Sequence, residues 1–315
     1  MPKAQNIIGC AASSRRHSRR ATARLHETIG TVVNELIDRV ADAGACDVVT
    51  EIARPYPIPI ICALIGTPPH DWQRFSLWAD EIFKMVSFAV NLVDEVPTVM
   101  RAWVELDAYV DDMVADRRHS LTDDLLSDLI RAEHHGDRLN ADELRMMVAS
   151  LLVAGTDTTR NQLAASLQVL FDHPDQWAML RDRPELAMAA VEESMRHSPA
   201  VCSTLRTVNE DVELGGYAFP AGTFIFVNTF AANRDPTVYA DPDRFDITRE
   251  EPPAILTFGG GVHYCLGANL ARLELAEALK ILAQRLSNPG RVAQAPWKPL
   301  LGMSGPTSLP IEFDT

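Results

Sequence analysis

The segment from Phe258 to Gly267 reads F-G-G-G-V-H-Y-C-L-G and carries the chain's clearest chemical signal. Gly259, Gly260, Gly261 and Gly267 surround one cysteine, and glycine lets a backbone adopt positive φ and press against a flat partner where a Cβ would collide. Directly after it, Leu270, Leu273, Ala276, Ala278, Leu279, Leu282 and Leu286 recur at helical spacing. Cys265 therefore stands at or just before a helix N-terminus, where free N–H groups and the positive dipole end favour a thiolate. Such a sulfur is an anionic, electron-donating ligand for iron, and on haem iron it favours O–O cleavage more than a histidine does.

A second segment offers complementary chemistry. The pattern from Ala141 to Phe171 predicts a long interior helix, nearly all apolar between Met146 and Gly155. Its middle reads Ala154, Gly155, Thr156, Asp157, Thr158, Thr159. An interior glycine and back-bonding threonine hydroxyls predict a bend or opening there. A hydroxyl at Thr158 with the acid of Asp157 beside it can hand solvent protons to a reacting oxygen. Elsewhere, Glu193 and Arg196 lie three apart on one helical face, the spacing of an ion pair.

These segments together resemble the cytochrome P-450 family. Phe258, Gly261, His263, Cys265 and Gly267 match its haem signature F-x-x-G-x-[HR]-x-C-x-G, and Ala154 to Thr159 match [AG]-G-x-[DE]-T-[TS]. The resemblance implies a mainly α fold with small β elements and a bound haem b (iron protoporphyrin IX). Cys265 would be the axial iron ligand, with Phe258, Gly259, Gly267 and Ala154 against the ring and His263 and Arg206 on its propionates. Thr158 and Asp157 would be the catalytic proton-handling pair. Glu193, Arg196 and Arg244 would form a structural triad behind the cysteine loop. Val153, Ala154, Val201, Leu205 and Met303 would line an apolar substrate pocket.

The implied activity is monooxygenation, the insertion of one atom of dioxygen into a lipophilic small molecule. The alternative is a haem-binding fragment of the same fold that turns nothing over. No flavin or nicotinamide fingerprint and no cluster-binding cysteine set is present, so electrons must come from outside the chain, and the resemblance implies a ferredoxin and its reductase as their source. Arg272 would be a docking contact for that donor. Bacterial relatives carry roughly 80 to 100 further residues ahead of this chain's start, so the resemblance also implies an N-terminally shortened form.

The elements that must position these groups follow from composition and periodicity. The chain has 315 residues, 47% hydrophobic and 23% charged, as a globular protein with a large core requires. A net charge of −14 argues against nucleic acid and anionic membrane as partners. No run is long and apolar enough to span a bilayer and no secretory signal is visible, which predicts a cytoplasmic protein. The five cysteines are scattered without a C-x-x-C pair, so neither a disulfide framework nor structural zinc is expected.

Helices are expected over Ala21–Ala43, Val49–Ile65, His70–Val90, Pro97–Arg118, Thr122–His134, Ala141–Phe171, Pro174–Arg181 and Pro184–His197. Alternating runs from Thr204 to Val227, broken by Gly215, Gly216 and Gly222, predict hairpins. We expect one domain over residues 1–315, with an atypical start to 43, a helical part over 44–200 and a β-containing part over 201–315. The basic run from Ser13 to Arg24 reads as a solvated arm.

Overall fold

The computed structural model describes residues 15–68, 71–84, 92–134, 139–250, 252–300 and 302–314. Ten α-helices organise these residues: α1 (Arg15–Ala41), α2 (Pro57–Ile65), α3 (Trp72–Phe83), α4 (Leu92–His119), α5 (Leu125–His134), α6 (Ala141–Phe171), α7 (Pro174–Asp182), α8 (Ala187–His197), the single turn α9 (Thr229–Ala232) and α10 (Ala268–Arg285). The long apolar pattern becomes α6. Its start is fixed by a capping box in which Asn140 Oδ1 accepts from the Glu143 N–H at 2.9 Å and Glu143 Oε2 accepts from the Asn140 N–H at 2.9 Å.

α6 runs through both halves of the core. Leu144, Val148, Leu152 and Val153 join α2, α3, α4 and α5 in one cluster, whereas Leu163, Leu167 and Leu170 join α1, α7, α8 and α10 in another. The helix does not open into a break at Gly155, and α6 continues through it. The Thr156 and Thr158 hydroxyls donate back to the Val153 and Ala154 carbonyls, each at 2.8 Å, without breaking the helix. Gly155 has a packing reason instead, since a Cβ there would lie 3.0 Å from Ile61 Cδ1 on α2.

Other helix limits move for identifiable reasons. The expected Val49–Ile65 helix is divided into a π-helical turn at Val49–Ala53 and α2, because Pro55, Pro57 and Pro59 lack N–H donors. Pro57 takes the first position of α2, where no donor is needed. Pro184 opens a 3₁₀ turn ahead of α8. Conversely, α4 begins five residues before Pro97 and accommodates it. Two expected limits, His70 and Val90, lie outside the described residues.

The β elements are small, as expected. β1 (Ala45–Asp47), β6 (Ser287–Arg291) and β7 (Pro310–Asp314) form an antiparallel sheet in the order β1–β7–β6. β2 (Ser203–Thr207) pairs with β5 (Phe224–Asn228), aligning Leu205 with Phe226, and β3 (Val212–Leu214) pairs with β4 (Tyr217–Phe219). No helix among the described residues is long and apolar enough to cross a membrane.

Candidate active site

The cysteine loop is closed by its own backbone. Cys265 N–H donates to the Phe258 carbonyl at 3.0 Å, and a 3₁₀ turn at Gly261–His263 lies between them. Gly259 and Gly261 sit at φ +71° and +64°, which residues with a Cβ adopt only under strain. Gly260 is extended at φ −158° and Gly267 sits at −85°, so conformational freedom is needed at two of the four glycines. Gly267 caps α10 and accepts from the Ala271 N–H at 2.8 Å, which places Cys265 one turn ahead of the helix.

Cys265 is exposed, yet protein atoms behind it push its thiol above the ordinary value. The Gly267 N–H and the Arg272 charge pull the other way without prevailing, so the helix terminus alone does not supply a thiolate. Bonding to a metal cation removes the proton outright.

Arg272 is spoken for inside the molecule. Its guanidinium lies 4.4 Å from the Phe258 ring centre, donates to the Tyr264 hydroxyl at 3.1 Å, and holds Glu192 of α8 through Nε and Nη2. It braces the loop against α8.

Behind the loop, Arg196 is 1% exposed and binds both oxygens of Glu193, at 2.7 and 2.8 Å. It also donates to the carbonyls of Asn233, Pro242 and Arg244. The expected third member is different. The Arg244 side chain is 67% exposed and, among the described residues, pairs with Asp246 at 3.2 Å rather than with Glu193. Arg249 takes the place beside Glu193, its Nε donating to Oε1 at 3.0 Å. Arg244 contributes through its backbone carbonyl, which accepts from both Arg196 and Arg249.

α10 packs against α6, so the helices carrying the two motifs are neighbours. Ala154 and Thr158 lie on the more open face of α6, whereas Asp157 is 4% exposed. Asp157 pairs with Arg160, which also holds Asp80 of α3, and Asp80 in turn holds Arg54. Asn161 Nδ2 donates to the Asp157 carbonyl at 2.7 Å and touches Met303 Sδ at 3.5 Å. Met303 pairs with Val201, so two expected pocket residues meet beside α6. Leu205 is exposed on β2, and half-buried Arg206 donates to the Leu205 carbonyl at 2.7 Å. His263 is exposed.

The sequence reading missed Arg249, Arg160, Asp80, Asn161 and Lys298, whose Nζ donates to Asn161 Oδ1 at 2.9 Å. Only Arg160 and Asn161 had a local signal, their i, i+3 and i, i+4 spacing from Asp157.

The residues around Cys265 fit a flat apolar macrocycle with anionic edge groups. Leu256, Val262, Tyr264 and Leu266 are exposed rather than buried in protein, and a Cβ at Gly260, Gly261 or Gly267 would meet no heavy atom within 4 Å. The one soft sulfur donor suits iron. Fold and loop together define the class of haem-thiolate proteins.

The comparisons with known proteins agree. The profile of the family described as Cytochrome P450 matches residues 17–289. Luteothin monooxygenase of Streptomyces thioluteus is 39% identical over 299 residues, covering 94% of this chain and 72% of that protein. The steroid C26-monooxygenase of Mycobacterium tuberculosis is 35% identical over 289 residues, covering 91% of this chain and 72% of its own length. A myxobacterial cytochrome P450 crystallised with myristic acid superposes with a TM-score of 0.89 at 34% identity, covering 99% of this chain and 76% of that one. The chain belongs to the cytochrome P450 family. It is a haem-thiolate monooxygenase of the kind that takes dioxygen, electrons from a redox partner and a small-molecule substrate. An inactive haem-binding remnant is not favoured, since these relatives carry monooxygenase names.

Proposed function

We propose that Cys265 is the axial ligand of haem b in a cytoplasmic monooxygenase acting on lipophilic small molecules, with a ferredoxin and its reductase as electron donors. The loop closed by Phe258 and opened by Gly259 and Gly261 is the observation that carries this reading. Haem held by a thiolate supplies activation of dioxygen, one atom entering the substrate and the other leaving as water.

The chain's own residues would do the rest. Phe258, Gly259, Gly267 and Ala154 would bound the ring, while His263 and Arg206 would neutralise its carboxylates. Glu193 and Arg196, with Arg249, would keep the loop rigid from behind. On α6, the Thr158 hydroxyl would release its bond to Ala154 and donate towards dioxygen, and Asp157 would renew that proton from solvent. Val153, Ala154, Val201, Leu205 and Met303 would place the substrate. The relatives' named targets, luteothin and a steroid, and the myristic acid of the myxobacterial neighbour support an apolar substrate. The helical part and the β-containing part would act as one domain, a reading supported by a core cluster that draws on both.

The test is the ferrous carbon monoxide spectrum of haem-loaded protein. A Soret band at the thiolate position is expected, lost in Cys265→Ser; an unchanged spectrum in that variant refutes the ligand. Thr158→Ala should raise electron consumption per product, and unchanged coupling would remove the hydroxyl from proton delivery.

A further inference from the structure

Two neighbouring amides on α6 stand one turn beyond Thr158 and take no part in the oxygen chemistry. Asn161 is 5% exposed and Gln162 4%, so a polar atom left unpaired on either is costly. The two side chains address different strands of the chain beside α6.

Gln162 pairs with a backbone as another peptide would. Its Oε1 accepts from the Ala200 N–H at 2.8 Å, and its Nε2 donates to the Ser198 carbonyl at 3.2 Å. The same nitrogen also donates to Ser166 Oγ at 3.3 Å. Asn161 turns instead to the segment between β6 and β7. Its Oδ1 accepts from Lys298 Nζ at 2.9 Å, and its Nδ2 lies 3.5 Å from Met303 Sδ while donating to the Asp157 carbonyl at 2.7 Å. Gly305 of that segment presses so close that a Cβ would stand 2.9 Å from Asn161 Oδ1.

The strands held in this way are the ones that meet. Ser304 N–H donates to the Ala200 carbonyl at 2.7 Å and Cys202 N–H to the Gly302 carbonyl at 3.1 Å, on either side of the antiparallel bridge between Val201 and Met303. Ala200 and Cys202 are buried, and strand alternation turns Val201 away from them.

We propose that Asn161 and Gln162 clamp this two-stranded wall to α6 and so set the width of the substrate cleft between Thr158 and the Val201–Met303 pair, which makes them specificity-determining positioning residues. An isosteric apolar residue at either position releases one strand, and the wall moves off α6. This inference rests on the reading of Val201 and Met303 as pocket residues.

The test is a titration of the haem-loaded enzyme with imidazole and 4-phenylimidazole, followed by the Soret shift that accompanies azole binding to iron. Imidazole is too small to touch the wall, whereas the phenyl ring reaches it, so the ratio of the two dissociation constants reads the cleft. Gln162→Met and Asn161→Leu should each lower the preference for 4-phenylimidazole about 10-fold, the worth of one methylene of pocket fit, with imidazole affinity unchanged. Gln162→Glu keeps an oxygen for the Ala200 N–H but no donor for Ser198, and should give an intermediate loss even where methionine prevents folding. Ser166→Ala removes a bond to Gln162 and leaves both strands held, so the full preference should remain. A preference undiminished in Gln162→Met or Asn161→Leu, or lost equally in Ser166→Ala, overturns the clamp alone. Val201→Phe checks the parent reading, since it should change 4-phenylimidazole affinity. If it does not, the pocket assignment fails and the clamp falls with it.

Discussion

Replacing Arg249 with methionine should weaken the fold far more than the same change at Arg244. Arg249 is 15% exposed at its side chain, binds Glu193 Oε1 at 3.0 Å, and donates to the carbonyls of Ala240, Asp241 and Arg244 at 2.7, 2.8 and 2.7 Å. Hydrogen bonds to charged groups are each worth about 1.5–3 kcal/mol. Glu193 would keep both bonds from Arg196, and the carbonyls of Ala240 and Asp241 are accessible to water, so the losses do not sum. Methionine also retains the packing of the aliphatic stem. The expected cost is about 2–3 kcal/mol. Arg244→Met removes one exposed contact and should cost roughly 0.5 kcal/mol or less. Arg196→Met sets the upper limit, because it strips Glu193 of a buried partner and orphans three carbonyls, at about 3–5 kcal/mol. Urea unfolding of the haem-free chain, followed by tryptophan fluorescence, measures all three. A loss for Arg244→Met equal to that for Arg249→Met would refute the reasoning.

Acid sensitivity should trace in part to His197, whose imidazole is pushed down to about 4 by burial, then by Arg234 and Arg196. The unfolded chain takes up that proton near the ordinary value of 6.5 while the fold refuses it until about 4, so stability falls as pH drops through this window. His197→Gln should flatten that slope, and an unchanged slope in urea melts at stepped pH would rule the residue out. Glu274 behaves in the opposite sense, since complete burial raises its carboxyl well above the ordinary 4.5. Folding then retains a proton that the unfolded chain releases, so its contribution to stability shrinks as pH rises above 4.5. Thermal melts of Glu274→Gln should show a larger gain at pH 8 than at pH 4.5; a gain independent of pH would contradict this. Gly259→Ala should cost about 1 kcal/mol in the haem-free chain through its positive φ, whereas Gly260→Ala should be nearly neutral, and equal costs by urea unfolding would deny the backbone argument.

Legibility in the sequence followed the range of the interactions. The bounds of α6 could be read to the residue because a capping box and an unbroken apolar stripe are local features. The limits near Val49 and Pro184 slipped where prolines changed the helix type over a few residues. In the site, Cys265, Thr158 and the Glu193–Arg196 pair were visible as spacings. Arg249 was not, since it meets Glu193 across 56 residues and lies in an irregular stretch after β5 and α9 that has no periodicity to read. Asp80 and Lys298 reach α6 from 80 and 137 residues away, and only tertiary packing brings them there. Gly155 shows the converse case. Its local propensity predicted a bend or an opening, yet the helix is uninterrupted there, and the missing Cβ leaves room for Ile61 of α2.

The pairing of β7 with β1 has a consequence for biosynthesis. Asp47 meets Pro310 and Ala45 meets Glu312, so the strand that follows α1 waits for its sheet partner, the only one it has among the described residues, until a segment far along the chain has been made. At roughly 5–20 residues per second that interval is on the order of ten seconds to a minute. For most of it, until α10 is made, the apolar flank of α1 stands uncovered and open to chaperones, which makes the nascent chain vulnerable to aggregation.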